Sequence, residues 1–225
     1  MSTLRKDNFI ELVEIVNTSY NPDIRRDGWV PIRHEFEVIG YIIHRSDSII
    51  VSFKGSNQPQ DFLNSLKTKR VRFDNEEKVL VHQGYHERFL SIRGQLHEQV
   101  NRRLTERIPI IFTGHSYGGA LAQLTALYYS KNYIYTGNVY TCVTFGSTKV
   151  GGSEFVKLFN SSVEFSHRFV CFLDPIPSYP GWLLYSHTKG EYILNNGLGC
   201  CDFLKTTTLT DHRLETYATR LRDEL

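Results

Sequence analysis

In "IFTGHSYGGALAQLTAL" a serine stands between glycines, where an apolar run ends and an alanine- and leucine-rich pattern begins. Gly114-His115-Ser116-Tyr117-Gly118 has the G-x-S-x-G spacing of a nucleophile elbow. The flanking patterns supply the context such an elbow requires, a strand before it and a helix after it. On so sharp a turn the serine takes strained backbone angles and its hydroxyl stands clear of the sheet edge. Side chains two residues before and two after would collide with neighbouring backbone, so glycine is needed at both places. Gly119 and Ala120 allow close helix–strand packing. The first N–H groups of the helix, aided by its dipole, are suited to holding an oxyanion. The chemistry implied is nucleophilic attack on a carbonyl. It also needs a histidine to take the serine proton and a carboxylate to orient that histidine.

Candidates for both follow Ser116 in the chain. "RFVCFLDPIPSYP" ends an apolar strand in Asp174, and a carboxylate there reaches the same sheet edge as the elbow. Pro175, Pro177 and Pro180 constrain the exit loop. Two histidines compete for the base, His187 in "YSHTKGEYIL" and His212 in "TLTDHRLETY". His115 adjoins the serine but points away on the strand-turn alternation, and is expected to pack or hydrogen-bond within the elbow. His34, His44, His82, His86, His97 and His167 are expected at the surface or internally satisfied.

The elements that must position these residues are legible as periodicities. "NFIELVEIV" and "HERFLSIRGQLHEQVNRRL" carry apolar residues at three- to four-residue intervals, as amphipathic helices do. "EFEVIGYIIHR" and "SIIVSFKG" read as a pair of strands, and "QDFLNSL" as a short helix. "IPIIFTG", "NVYTCVTFG", "FSHRFVCFLD" and "GEYIL" read as strands. "SYGGALAQLTALYYSK", "SEFVKLFNS" and "DHRLETYATRLRDE" read as helices. Strands alternating with helices, several of them apolar on both faces, argue for an α/β sheet covered on both sides, mixed because of the early strand pair. With no linker-like stretch and no internal repeat, residues 1–225 are expected to form one domain.

G-H-S-Y-G-G-A resembles the class 3 lipases, the fungal-lipase-like branch of the α/β-hydrolases. The resemblance runs from about Ile49 to about Tyr217 through four motifs in the family's order. It implies an α/β-hydrolase fold, a mostly parallel mixed sheet with helices on both faces. It also implies a serine hydrolase of carboxylic esters, most of all lipid esters, with catalytic residues in the order Ser, Asp, His. "IIVSFKGSNQPQDFLNSL" is similar to the family's strand ending in a basic residue, Gly and Ser or Thr. That similarity implies Ser56 as an oxyanion donor, with the Tyr117 N–H as the second. "DPIPSYP" is similar to D-x-V-P-x-x-P, implying Asp174 as the acid and Ile176 as a pocket residue. The family's H-x-x-x-E-Y-like segment is structural and its catalytic histidine sits in a D-H-x-x-Y-like stretch, which implies His212 rather than His187. Tyr217 lies further along than in that pattern. Residues 58–66 fall where the family keeps its lid, with Phe62, Leu63 and Leu66 as an apolar, substrate-facing edge, the alternative being an ordinary surface helix buried on that edge. The same triad could serve a phospholipase A1, a short-chain esterase, or persist in a lipase-like scaffold without catalysis.

The bulk composition narrows the remaining classes. The 225 residues are 40% hydrophobic and 22% charged, with a formal net charge of +2, too small to argue for nucleic acid. The strip Lys67, Lys69, Arg70 and Arg72 would favour transient contact with an anionic lipid interface, or be a solvated face. "YPGWLLYS", with Trp182, Leu183 and Leu184, could line the pocket or touch lipid. Cys142, Cys171, Cys200 and Cys201 have neither metal-site spacing nor a disulfide pattern, and the proposed chemistry needs no metal or organic cofactor. The N-terminal stretch lacks the apolar core of a secretory signal, so a cytoplasmic or other intracellular site is expected, and the terminal "RDEL" is read as chance. Oligomeric state is not encoded in these patterns.

Overall fold

A computed structural model describes residues 4–56, 69–181, 183–195 and 209–224. Its main sheet has seven strands in the order β1 (Trp29–His34), β2 (Glu37–His44), β3 (Ile49–Phe53), β6 (Ile110–His115), β7 (Tyr140–Phe145), β8 (Phe165–Cys171) and β9 (Glu191–Leu194). The β1–β2 and β2–β3 pairings are antiparallel, and the remaining four are parallel. A separate hairpin pairs β4 (Arg70–Phe73) with β5 (Glu76–His82). The sheet is thus mixed, as the alternation predicts, and mostly parallel, as the resemblance implies.

Helices cover both faces because the central strands are apolar on both. Along β3, Ile49, Val51 and Phe53 join a core with α2 (Gln83–Val100), α3 (Tyr117–Asn132) and α4 (Ser153–Ser162). Ile50 points the other way, into a core with α1 (Lys6–Thr18) and α5 (Leu214–Glu224). β6 divides likewise, Ile110 and Phe112 against Ile111. α2 buries Tyr85, Phe89, Ile92, Leu96 and Val100 along one stripe, and its N-terminus is capped by His82 Nδ1, which accepts from the Gly84 N–H at 3.2 Å. α3 instead is buried on all sides from Tyr117 to Ser130, which its Gly, Ala and Leu content permits.

The register fixes where the strands end. Phe53 pairs with Gly114 and Gly114 with Thr144, so β3, β6 and β7 finish level. The residues that follow them, Lys54, Ser116 and Gly146, therefore line one sheet edge, and Asp174 leaves parallel β8 towards the same edge. This is the carboxyl edge of an α/β sheet, where ligands bind.

The structure adds elements beyond the expected ones. β1 contains Pro31, which removes an N–H and suits only an edge strand; β1 is the edge. Part of the basic strip, Arg70 and Arg72, lies in β4. α5 begins at Leu214 rather than Asp211, after turns through His212. "QDFLNSL", Trp182, Cys200 and Cys201 lie outside the described residues. Cys142 and Cys171 are buried free thiols. Among the described residues no helix is long and apolar enough to cross a membrane.

Phe112 sits at the middle of this arrangement, fully buried, its ring 5.4 Å from that of Tyr129 and 6.4 Å from that of Tyr140. Phe112→Ala is expected to cost about 3–5 kcal/mol, read as a lower urea midpoint at an unchanged slope.

Candidate active site

Ser116 has φ 56° and ψ −124°, a left-handed conformation that a serine adopts only when its surroundings impose it. The surroundings are close backbone. A Cβ on Gly114 would lie 2.4 Å from the Gly118 carbonyl oxygen, and one on Gly118 would lie 2.4 Å from the carbonyl oxygens of both Phe53 and Lys54. A Cβ on Gly119 would lie 2.6 Å from the Ser147 Cβ, so α3 meets the segment after β7 with no side chain between. The Ser116 N–H is held by the Phe145 carbonyl at 3.0 Å, and Ser116 is buried. Tyr117 opens α3, in the first turn whose N–H groups point out along the axis.

Asp174 and His212 are brought together. His212 Nδ1 donates to Asp174 Oδ2 at 2.7 Å, with both side chains buried. The Tyr217 hydroxyl donates to the same oxygen at 2.6 Å, and the Ile176 N–H to Oδ1 at 2.9 Å. Tyr217 in turn accepts from the Cys171 N–H at 3.1 Å. Burial, and then the Asp174 charge, hold the Tyr217 phenol well above its ordinary pKa, so it remains a donor. In the neutral ring, with Nδ1 donating to the carboxylate, Nε2 of His212 is the nitrogen that bears the lone pair. Nε2 is buried and has no hydrogen-bond partner among the described residues, Ser116 included.

His212 is held by its main chain and its neighbours. Its N–H donates to the Leu209 carbonyl at 3.1 Å. The adjacent Asp211 forms a buried ion pair with Arg220 of α5. The His115 ring stacks on His212 at 4.5 Å between centroids, and its Nε2 donates to the His212 carbonyl at 2.8 Å. Burial, and then His212, hold His115 well below the ordinary histidine range, so it is neutral.

His187 occupies another place. Its Nε2 donates to the Pro177 carbonyl at 2.7 Å, in the loop after Asp174. Burial, and then the Arg168 charge, push its pKa down to about 3. Ser56 lines a cavity of about 470 Å³ with Tyr20, His115, Leu209, His212 and Leu214. Ile176 is buried beside Asp174. Phe62, Leu63 and Leu66 lie outside the described residues. Among the described residues no group of three or more His, Cys, Asp and Glu side chains could hold a metal ion.

Two contributors go beyond the motifs. Tyr217 braces the carboxylate, and its sequence signal was only a tyrosine after D-H at unusual spacing. Gly146, just after β7, has φ 57°, and a Cβ there would lie 2.9 Å from both Asp174 Oδ2 and the Tyr217 hydroxyl and 3.1 Å from His212 Nδ1. A glycine ending the strand beside the elbow strand was its only signal.

Gly146→Ala combines a left-handed backbone penalty with overpacking, together about 2–5 kcal/mol, and is expected to show that loss in urea unfolding. His187 supplies a pH dependence. Its folded pKa is depressed to about 3 from an ordinary 6.5, so the unfolded chain binds the proton first. Its stabilisation is present above about pH 6.5 and is lost as pH falls towards 3. Between pH 6.5 and 4, the fall in Tm is expected to be shallower in His187→Gln, whose amide can still donate to Pro177, than in the wild-type chain.

The geometry has counterparts among known proteins. The solved Rhizomucor miehei triacylglyceride lipase superposes with a TM-score of 0.74 at 20% identity, over 94% of this chain and 95% of that one, which establishes the α/β-hydrolase fold. A secreted mono- and diacylglycerol lipase of Fusarium solani is 28% identical over 152 residues, 66% of this chain and 44% of that protein. Protein EDS1 of Arabidopsis thaliana is 26% identical over 227 aligned residues, 91% of this chain and 36% of that protein. The chain thus spans less than half the length of these two relatives. The family model for Lipase (class 3) matches residues 50–184, more than half of the chain. The chain belongs to the class 3 lipase family.

Proposed function

We propose that the chain hydrolyses carboxylic esters of lipids through Ser116, His212 and Asp174. The observation that carries this reading is His212 itself. Its Nδ1 is tied to Asp174 at 2.7 Å, its Nε2 is buried and uncommitted among the described residues, and the strained Ser116 stands on the same sheet edge.

In this reading His212 Nε2 takes the hydroxyl proton as Ser116 Oγ bonds to the ester carbonyl carbon. The carbonyl electron pair moves onto oxygen, which the Ser56 and Tyr117 N–H groups stabilise; each such donor contributes roughly 3–4 kcal/mol. Collapse restores the carbonyl and breaks the bond to the alcohol, which leaves with the proton from His212. Water then gives a proton to His212 and attacks the acyl carbon. Ser116 departs with that proton, and the acid is released. Asp174 holds the imidazole in its tautomer and offsets the charge it gains. Phe62, Leu63, Leu66 and Ile176 would contact the acyl chain. The family, and the Fusarium solani relative being a mono- and diacylglycerol lipase, support lipid esters as the substrate class.

The test is fluorophosphonate labelling with an ester series of rising acyl length and a phospholipid. Wild-type protein should label and Ser116→Ala should not, and Ser116→Ala and His212→Ala should each lower ester turnover by on the order of 10⁴- to 10⁶-fold. Equal labelling of wild type and Ser116→Ala, or none of either, removes the reading. Turnover confined to short esters, or to the phospholipid, changes the substrate class and leaves the triad.

A further inference from the structure

Tyr20 belongs to none of the motifs, yet its hydroxyl joins three parts of the site. It accepts from the Gly55 N–H at 2.9 Å and bonds His115 Nδ1 at 2.6 Å. His115 Nε2 lies 2.8 Å from the His212 carbonyl oxygen. These contacts fix every proton. A carbonyl oxygen only accepts, so His115 Nε2 carries the hydrogen. A neutral imidazole has one N–H, so Nδ1 is the acceptor. Tyr20 must therefore donate to Nδ1, which leaves its oxygen lone pairs for Gly55. The neutral state of His115 agrees, since a protonated ring would offer Nδ1 as a second donor. Burial likewise holds the Tyr20 phenol above its ordinary pKa, so its proton stays in place.

The path runs from the Gly55 N–H to the Tyr20 hydroxyl, to the His115 ring, to the His212 carbonyl. Gly55 precedes Ser56, His115 precedes Ser116, and His212 is the base. Three of the four groups that act on the ester in the mechanism above are thus within one residue of this path. Their packing leaves little slack. A Cβ on Gly55 would lie 2.5 Å from the Tyr20 hydroxyl and 2.9 Å from the Ser116 Cβ. A phenylalanine at position 20 would fill the same space, so burial alone does not call for the hydroxyl.

We propose that Tyr20 is a positioning residue: acting through His115, it ties the oxyanion strand end at Gly55–Ser56 to the main chain of His212, so that donor and base keep one relative geometry. This rests on the ester-hydrolase reading. A misplacement of about 1 Å in such a site can cost on the order of 100-fold in rate.

Tyr20→Phe tests it on a soluble short-chain ester. The expected result is a kcat lower by about 10- to 100-fold with KM within about twofold, and a matching fall in the fluorophosphonate labelling rate. His115→Gln, which interrupts the path at its next member, should give the same split. Tyr129→Phe is the control. It deletes a hydroxyl bond to Asn101 Oδ1 at 3.3 Å, away from the path, and should lower Tm while leaving kcat unchanged. An active wild type with Tyr20→Phe at full kcat, or with its loss in KM, overturns the inference alone. So does a kcat that merely follows Tm across Tyr20→Phe and Tyr129→Phe. A wild type that neither turns over ester nor labels overturns the ester-hydrolase reading, and this inference with it.

Discussion

The close approach of three backbone segments governs the site. β6 and α3 meet so tightly at Gly114 and Gly118 that neither can carry a side chain, and the end of β3 presses on the same point through the Phe53 and Lys54 carbonyls. Ser116 is the one residue left between them, and its left-handed backbone follows from that geometry. Strain of this kind costs of order 1–3 kcal/mol and persists only when the surroundings over-determine it. Here they do, because strands and helix are embedded in two apolar cores. The cores thus hold the serine hydroxyl in a conformation that the serine itself would not choose.

A second constraint is polar and lies across the edge from the first. Asp174 receives three donors, from His212, Tyr217 and the Ile176 main chain. A buried carboxylate is tolerable only when its oxygens are satisfied, and satisfying them fixes the carboxylate and the imidazole it orients. Tyr217 belongs to α5, and Asp211 beside His212 pairs with Arg220 of the same helix. One helix therefore braces Asp174 directly and His212 through its neighbour.

Local features were legible in the sequence where they rest on local physics. Glycine spacing around Ser116, apolar strands with period two, and helical stripes such as Phe89, Ile92 and Leu96 depend on near neighbours, and they appear where expected. The end of an apolar strand was enough to bring Asp174 to the right edge. The choice between His187 and His212 was not available from spacing; it needed family resemblance, because which histidine meets Asp174 depends on how α5 docks on the sheet. The role of Tyr20 was invisible for the same reason, and those of Gly146 and Tyr217 left only faint signals, a strand-ending glycine and a tyrosine after D-H. Each acts across a long sequence separation, Tyr20 on His115 and Tyr217 on Asp174, and no local pattern records such a pairing. β1 escaped because Pro31 disguises a strand that only its edge position permits.

The packing of α1 against α5 also has a bearing on how the chain acquires its shape. Lys6 of α1 reaches the Arg222 carbonyl of α5 at 3.0 Å, Arg222 pairs with Glu14 at 2.7 Å, and the two helices share one core. α1 leaves the ribosome before any other described element, and α5 after all of them. Until α5 is made, the apolar stripe of Phe9, Leu12, Val13 and Val16 waits without its neighbour, and neither Tyr217 nor the Asp211–Arg220 pair exists to hold the loop of His212. Contacts of such long range are slow to form. The serine turn can be in place once β7 and α3 are built, but the Asp174–His212 contact is completed only with α5, the latest of the described helices in the chain.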